Sequence, residues 1–366
     1  LYECSLFLFL LIAKTVNPMQ LRQSIPLLNN PLPIVIIGAG GIVTDAHLPA
    51  YSKAGWKVLG IYDRDLEKAK AAKVRFPFVS QTFSILDDLV QVGFKENAVF
   101  DLAVPADQIL SVLEKIPDHS AVLIQKPMGE TLEEAQKILA VCQEKNLVAA
   151  VNFQLKFAPY MLALQDLMER GILGEVYDIE LKVCVHTPWE LWDFLKTKPR
   201  MEVLYHSVHY LDLIRALAGN PSRVSASLAR HPKSPDLVDA RSSILLDYPE
   251  SKQARILTNH GHSFGGKHQQ SYLKVEGTQG AAFIQLGLSL DYPKGRPSYM
   301  EYFENDSELG WQEIPLQGDW FPEAFVGSMA VLQNHLQDPS LPLIHSVGDA
   351  LQTMELVELV YQNSRI

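Results

Sequence analysis

The chain has 366 residues, 47% hydrophobic and 20% charged, a balance that excludes an extensively disordered protein and, at this length, points to two domains. The formal net charge is −10 and no run of lysines and arginines occurs, so neither a nucleic acid nor a membrane surface is expected as a partner. Cys4, Cys142 and Cys184 are far apart and form no Cys-x-x-Cys pattern, which argues against a disulfide framework or a structural zinc and points to a reducing cytoplasm.

The apolar stretch Ser5 to Ala13 is too short to span a bilayer and has no basic residue before it, so it is read neither as an anchor nor as a signal peptide. Residues 1–18 precede the first methionine, Met19, and are expected to be read-through of upstream sequence. Residues 1–31 as a whole are set apart as an extension outside the native fold.

From Pro33 an apolar run, a glycine cluster, a helical stretch and a second apolar run ending in an acidic residue make a βαβ unit. Strands are expected at Ile34 to Ile37, Lys57 to Tyr62, Val99 to Val104 and Ala121 to Gln125, with helices between them. Thr131 and Glu134 form a T-x-x-E capping box that starts a helix running to about Lys145, Asn146 ends it, and Leu147 to Asn152 is a further strand. The alternation implies a parallel, doubly wound sheet over residues 32–150.

Beyond residue 151 the rhythm changes. A helix from Pro159 to Arg170 stops at Gly171, and strands follow at Val176 to Val185, Val224 to Ala229, Ser242 to Leu246, Ala254 to Thr258 and Tyr272 to Glu276. Helical periodicity returns at Val203 to Leu217 and from Phe321 to the end, broken by Pro339 to Pro342. Residues 151–366 are therefore expected to form an α/β domain with an open, mostly antiparallel sheet.

Gly38, Gly40, Gly41 and Ile42 stand directly after a buried strand and before a helix, where a dinucleotide fingerprint belongs; Val43 occupies the third glycine position and predicts looser helix packing. A plain strand-to-helix turn produces the same letters. Asp63, closing the second strand, is placed to accept from ribose hydroxyls and favours NAD, whereas Arg64 beside it can pair with a 2′-phosphate and keeps NADP open. A solvated turn is the alternative for both.

Gln125-Lys126-Pro127-Met128 resembles the Glu-Lys-Pro strand end of the glucose-fructose oxidoreductase, inositol dehydrogenase and MocA family. The segments Asn152 to Pro159, Gly171 to Val176, His209 to Leu213 with Leu217-Ala218-Gly219, and Val275 to Gly280 resemble further motifs of that family, in its order. The resemblance implies a Rossmann domain, a second domain with an open sheet, and an active site in the cleft between them, acting on a sugar, a polyol or a related molecule through NAD or NADP. It implies Lys126 and His209 as catalytic residues. The family's D-x-x-x-H carboxylate falls at Tyr205, a departure that His206 can offset.

Val104 and Pro105 are implied on the nicotinamide side with Gln125 and Lys126. Asn152, Lys156, Trp189, His206 and His209 are implied, with Lys126, at the substrate. Oxidation of a carbinol needs a base and a group that stabilises alkoxide character; His209 is assigned as proton acceptor and Lys126 as the polarising group, although the roles can be exchanged. Asp212, one turn beyond His209, either orients an imidazole or closes a salt bridge. His186, Trp189 and Trp192 suit a sugar face or form a local apolar plug. His260-Gly261-His262 and Gly266-Lys267-His268 lack a carboxylate or cysteine at ligand spacing, so no metal is expected. A homodimer or homotetramer is expected from the resemblance and the open sheet. Redox-assisted glycoside cleavage and a cofactor-sensing regulator without chemistry are the alternatives on the same fold.

Overall fold

The computed structural model describes residues 20–365. The first sheet is built from β1 (Ile34–Ile37), β2 (Val58–Tyr62), β3 (Val79–Phe83), β4 (Val99–Leu102), β5 (Ala121–Ile124) and β6 (Val148–Val151), all parallel, in the order β3-β2-β1-β4-β5-β6. Helices α1 (Leu48–Ala54), α2 (Leu66–Arg75), α3 (Leu86–Lys95), α4 (Ile109–Leu113) and α5 (Leu132–Glu144) connect them. β1, β4 and β5 bury every side chain, as strands covered on both faces must. β3 was not foreseen: only Val79 and Phe83 are buried in its sequence VSQTF, because it is an edge strand with no apolar run to mark it. The Thr131 hydroxyl accepts from Glu134 N–H at 3.1 Å and starts α5, and Asn146, at φ 52°, turns the chain out of it.

The second sheet has nine strands, β7 (Val176–Cys184), β8 (Arg223–Ala229), β9 (Arg241–Asp247), β10 (Gln253–Asn259), β11 (Gln270–Gly277), β12 (Gly280–Gln285), β13 (Tyr299–Glu304), β14 (Gln312–Glu313) and β15 (Ser364–Arg365), ordered β14-β13-β12-β11-β7-β10-β9-β8-β15. It is mostly antiparallel; β7 with β10 and β8 with β15 are its parallel pairs. Its inner face buries Ile179, Leu181, Ile244 and Ile256 beneath α6 (Pro159–Glu169) and α7 (Val208–Ala218) in one continuous core.

The last helices return to the first sheet. Phe325, Met329 and Leu332 of α8 (Phe325–Gln337) share a core with Ile34 and Ile36 of β1, and α9 (Val347–Gln362) lies against α5 and β6. Val151 N–H donates to the His345 carbonyl at 2.8 Å. Part of the segment set apart as an extension is also tied in: Arg22 N–H donates to Asp166 at 2.8 Å, the Gln23 amide donates to the Pro315 carbonyl at 3.0 Å, and Leu21 is buried. The stretch Ser5 to Ala13 and the other residues before Gln20 lie outside the described residues.

Candidate active site

β1 and β4 are neighbours from which the chain leaves in opposite directions along the sheet, and the loop after β1 opens into the crevice this creates. Gly38 has φ 111°, and a Cβ there would lie 2.2 Å from the Ala103 carbonyl oxygen, so only glycine passes. Gly40 has open space where its Cβ would be, and Gly41 nearly so, which leaves the backbone N–H groups approachable. Val43 is wholly buried, and the helix opens there on a wide π turn, Val43–His47, before α1. Both oxygens of Asp63 brace the loop, accepting from Ala39 N–H at 2.8 Å and Asp65 N–H at 2.9 Å. Arg64 is exposed and lines the crevice.

The crevice continues into a cleft of about 750 Å³ between the two sheets. Gly40, Gly41, Ile42, Val104, Pro105, Gln125 and Lys126 form one side; Tyr205, His206 and His209 face them. Lys126 lies two residues past the end of β5, and its Nζ donates to the Tyr205 carbonyl at 2.7 Å. Loss of hydration lowers its pKa to about 8. Gln125 is fixed by Asn152, whose amide donates to Gln125 Oε1 at 3.0 Å.

His206 lies in the last turn of the π segment Glu202–Ser207, and His209 lies in the first turn of α7. Burial first, then His260 and Lys126 for His206, and Lys126 and His206 for His209, holds both rings well below the ordinary histidine pKa, hence neutral at pH 7. His209 is gripped edge-on by Phe153 and Trp320, centroids 6.3 and 5.7 Å away, and its Nδ1 has no partner among the described residues. Nδ1 is sealed from the cleft, so the ring nitrogen that can accept a proton from a bound group is Nε2, which is neither sealed nor, among the described residues, hydrogen-bonded. Trp192, Tyr292 and Phe321 add aromatic walls.

Several expected residues take other positions. The Tyr205 hydroxyl turns away from His209 and donates to Glu130 at 2.6 Å; the backbone carbonyl of Tyr205, not its side chain, meets Lys126. Asn152 and Lys156 do not line the cleft. Lys156 is fully committed beneath it, 3.1 Å from Asp212 and 3.5 Å from Asp349, so Asp212 closes a salt bridge and orients no imidazole. Trp189 packs behind His206, centroids 5.2 Å apart, in a small core with Leu195 and Met201. His186 is exposed on the strand-end bridge to Gly261.

His260, weighed in the sequence only as a metal ligand and not as a cleft residue, lines the cleft with Thr187. Thr187 Oγ1 lies 2.9 Å from His260 Nδ1, and His260 Nε2 lies 3.2 Å from the buried Glu202 carboxylate. Burial raises the pKa of Glu202, but hydrogen bonds from His260 and Ser207 outweigh that and leave it below the usual value. The three residues come from separate elements, 15 to 73 positions apart, and no spacing rule finds them.

A glycine cradle at a sheet switch point, opening on a cleft between a parallel and a mostly antiparallel sheet, is the arrangement of a dinucleotide-binding α/β protein. Residues 32–153 match the family described as "Oxidoreductase family, NAD-binding Rossmann fold", and residues 161–283 match the "GFO/IDH/MocA C-terminal domain". The protein belongs to the Gfo/Idh/MocA oxidoreductase family and carries its NAD-binding Rossmann domain.

A D-apiose dehydrogenase of Paraburkholderia graminis is 24% identical over 357 residues, covering 90% of this chain and 87% of its own. Two solved structures share the fold. A levoglucosan dehydrogenase in complex with NADH and levoglucosan has a TM-score of 0.75 at 18% identity, covering 91% of this chain and 97% of its own. An aldose-aldose oxidoreductase from Caulobacter crescentus, complexed with glycerol, has a TM-score of 0.74 at 14% identity over the same shares. No helix among the described residues is long and apolar enough to cross a membrane.

Proposed function

We propose that the protein transfers a hydride between a nicotinamide dinucleotide and the hydroxyl-bearing carbon of a sugar, polyol or related small molecule. The observation that carries this reading is the convergence of the glycine cradle with Lys126, His206 and His209 on one cleft. The open Cβ positions at Gly40 and Gly41 fit a pyrophosphate. Gly38, Gly40, Gly41 and Ile42 would hold it, with Val104 and Pro105 beside the ring and Asp63 and Arg64 at the adenosine end. When bound, the dinucleotide supplies the hydride acceptor or donor. Each Asp63 oxygen accepts one N–H and keeps a lone pair for a ribose hydroxyl, which favours NAD, while Arg64 is the group that would admit NADP.

In the oxidising direction Lys126 has N–H groups left over after the Tyr205 carbonyl, and these orient the substrate hydroxyl and stabilise alkoxide character. His209, neutral, takes the hydroxyl proton. His206 stands beside it, and Gln125, held by Asn152, fixes the strand end that carries Lys126. Residues 32–150 would serve the cofactor and 151–366 the substrate and self-association, in a reducing cytoplasm that keeps Cys142 and Cys184 as thiols.

The test is a fluorescence titration with NADH and NADPH, followed by a sugar and polyol panel read at the nicotinamide absorbance. Binding of one cofactor with turnover, both expected, supports the reading; Lys126→Ala is then expected to lower kcat by a factor of about 10² or more and leave cofactor binding in place. Binding without turnover of any panel member would point to a sensor instead. Undiminished turnover by Lys126→Ala would remove Lys126 from the chemistry.

A further inference from the structure

Glu202 is fully buried, and His260 is the one potentially cationic side chain within ion-pair distance of it among the described residues. A carboxylate survives burial only when hydrogen bonds replace its hydration. Here both bonds fall on Oε1, where the Ser207 hydroxyl donates at 2.6 Å and His260 Nε2 lies at 3.2 Å, while Oε2 has no partner among the described residues. A carboxylate only accepts, so His260 Nε2 carries a proton toward it, and the polarity beyond the ring is the one set by a singly protonated imidazole. A singly protonated His260 places its proton on Nε2, toward Glu202, and presents Nδ1 as an acceptor. The Thr187 hydroxyl, 2.9 Å away, then donates its proton to Nδ1. Thr187 Oγ1 then has only lone pairs left to offer, and Thr187 is among the residues that line the same cleft as Lys126. The His260 ring also packs 4.8 Å, centroid to centroid, from that of His206, which places this unit beside the reacting groups.

We propose that Thr187, aligned by His260 and Glu202, is a second substrate subsite that accepts a hydrogen bond from a hydroxyl other than the one being oxidised. The inference rests on the hydride-transfer reading above and narrows its substrate class. Lys126 meets one oxygen as a donor and Thr187 meets another as an acceptor. A molecule with at least two hydroxyls satisfies both. A keto, carboxylate or phosphate oxygen at the second position sets lone pairs against lone pairs, and a monoalcohol leaves Thr187 unanswered. Thr187 would touch the substrate; His260 and Glu202 are positioning residues.

The experiment uses the intact chain with its cofactor, the polyol that turns over best, and the set of its monodeoxy analogues, each lacking one hydroxyl. One analogue other than that missing the reacting hydroxyl should lose about tenfold or more in kcat/KM with the wild type. Thr187→Val should impose a similar loss on the parent polyol and almost none on that analogue. Thr187→Ser should retain the wild-type pattern, and Glu202→Gln should penalise the parent alone, mainly through KM. NADH titration should be unchanged in every variant. Should Thr187→Val fail to fold, the wild-type analogue series still decides: equal kcat/KM across the non-reacting positions overturns the subsite. Equal losses on parent and analogue with Thr187→Val overturn it too. A wild type that binds NADH but discriminates no hydroxyl refutes the subsite alone, whereas one that binds neither cofactor refutes the hydride-transfer reading and the subsite with it.

Discussion

Lys126 is a residue whose surroundings work against its charge. Its pKa lies near 8, below the ordinary lysine value of 10.5, so the folded chain holds fewer protons than the unfolded one between those limits. Stability attributable to this group is therefore lowest below pH 8 and recovers as pH rises toward 10.5. At full burial the shift would correspond to about 3 kcal/mol; partial exposure and the bond to the Tyr205 carbonyl reduce this to about 1 kcal/mol. Lys126→Met is accordingly expected to raise the urea midpoint slightly at pH 7 while abolishing turnover. If the charged form polarises the substrate, kcat/KM for oxidation falls above pH 8; a rise through pH 8 would instead make Lys126 the base, exchanging its role with His209. Gly38 sets the opposite kind of limit. A methyl 2.2 Å from a carbonyl oxygen at φ 111° cannot be absorbed by a side-chain shift. Gly38→Ala should cost about 2–4 kcal/mol in denaturant melts and abolish NADH binding.

At the scale of elements, the buried ion pairs decide how the helices sit. Lys156, from the short 3₁₀ turn before α6, reaches Asp212 of α7 and Asp349 of α9, and Arg215 of α7 reaches Asp349 and the Thr353 hydroxyl. Burial raises the Asp212 pKa, and Lys156 opposes it. Removing one partner strands a buried charge: Lys156→Met should cost about 3–5 kcal/mol, and Lys156→Met with Asp212→Leu should recover most of it, as chemical denaturation of both variants would show. A substrate contact by Lys156 would appear instead as a KM effect at unchanged stability.

At the scale of the molecule, the nine-stranded sheet leaves one face uncovered, where Leu257, 44% exposed, lies among Glu180, Arg255 and Leu245. An open sheet face of mixed apolar and paired charged groups suits a second copy of the same chain. Light scattering of the purified protein is expected to give a dimer or tetramer, and Leu257→Asp to lower the mass toward that of one chain. A wild type that scatters as one chain would exclude this pairing.

Much of this architecture was legible in the sequence because its signals are local. Ile34 to Ile37 followed by Gly38, and Thr131 with Glu134, announce themselves within a few residues through burial, backbone freedom and capping, whereas Lys126 was marked only by the family resemblance of its segment. The strands β3, β12 and β13 escaped because partly exposed strands dilute the apolar pattern. Long separations hid the rest: Glu202 and His260 are 58 positions apart, Thr187 and His260 73, and α8 contributes Phe325 to a core begun at Ile34. Local chemistry thus determined the βαβ frame and the cradle. Only tertiary packing, which brings distant side chains within hydrogen-bond reach, decided that Asp212 serves Lys156, that the Tyr205 hydroxyl serves Glu130, and that a threonine, a histidine and a buried glutamate complete the cleft.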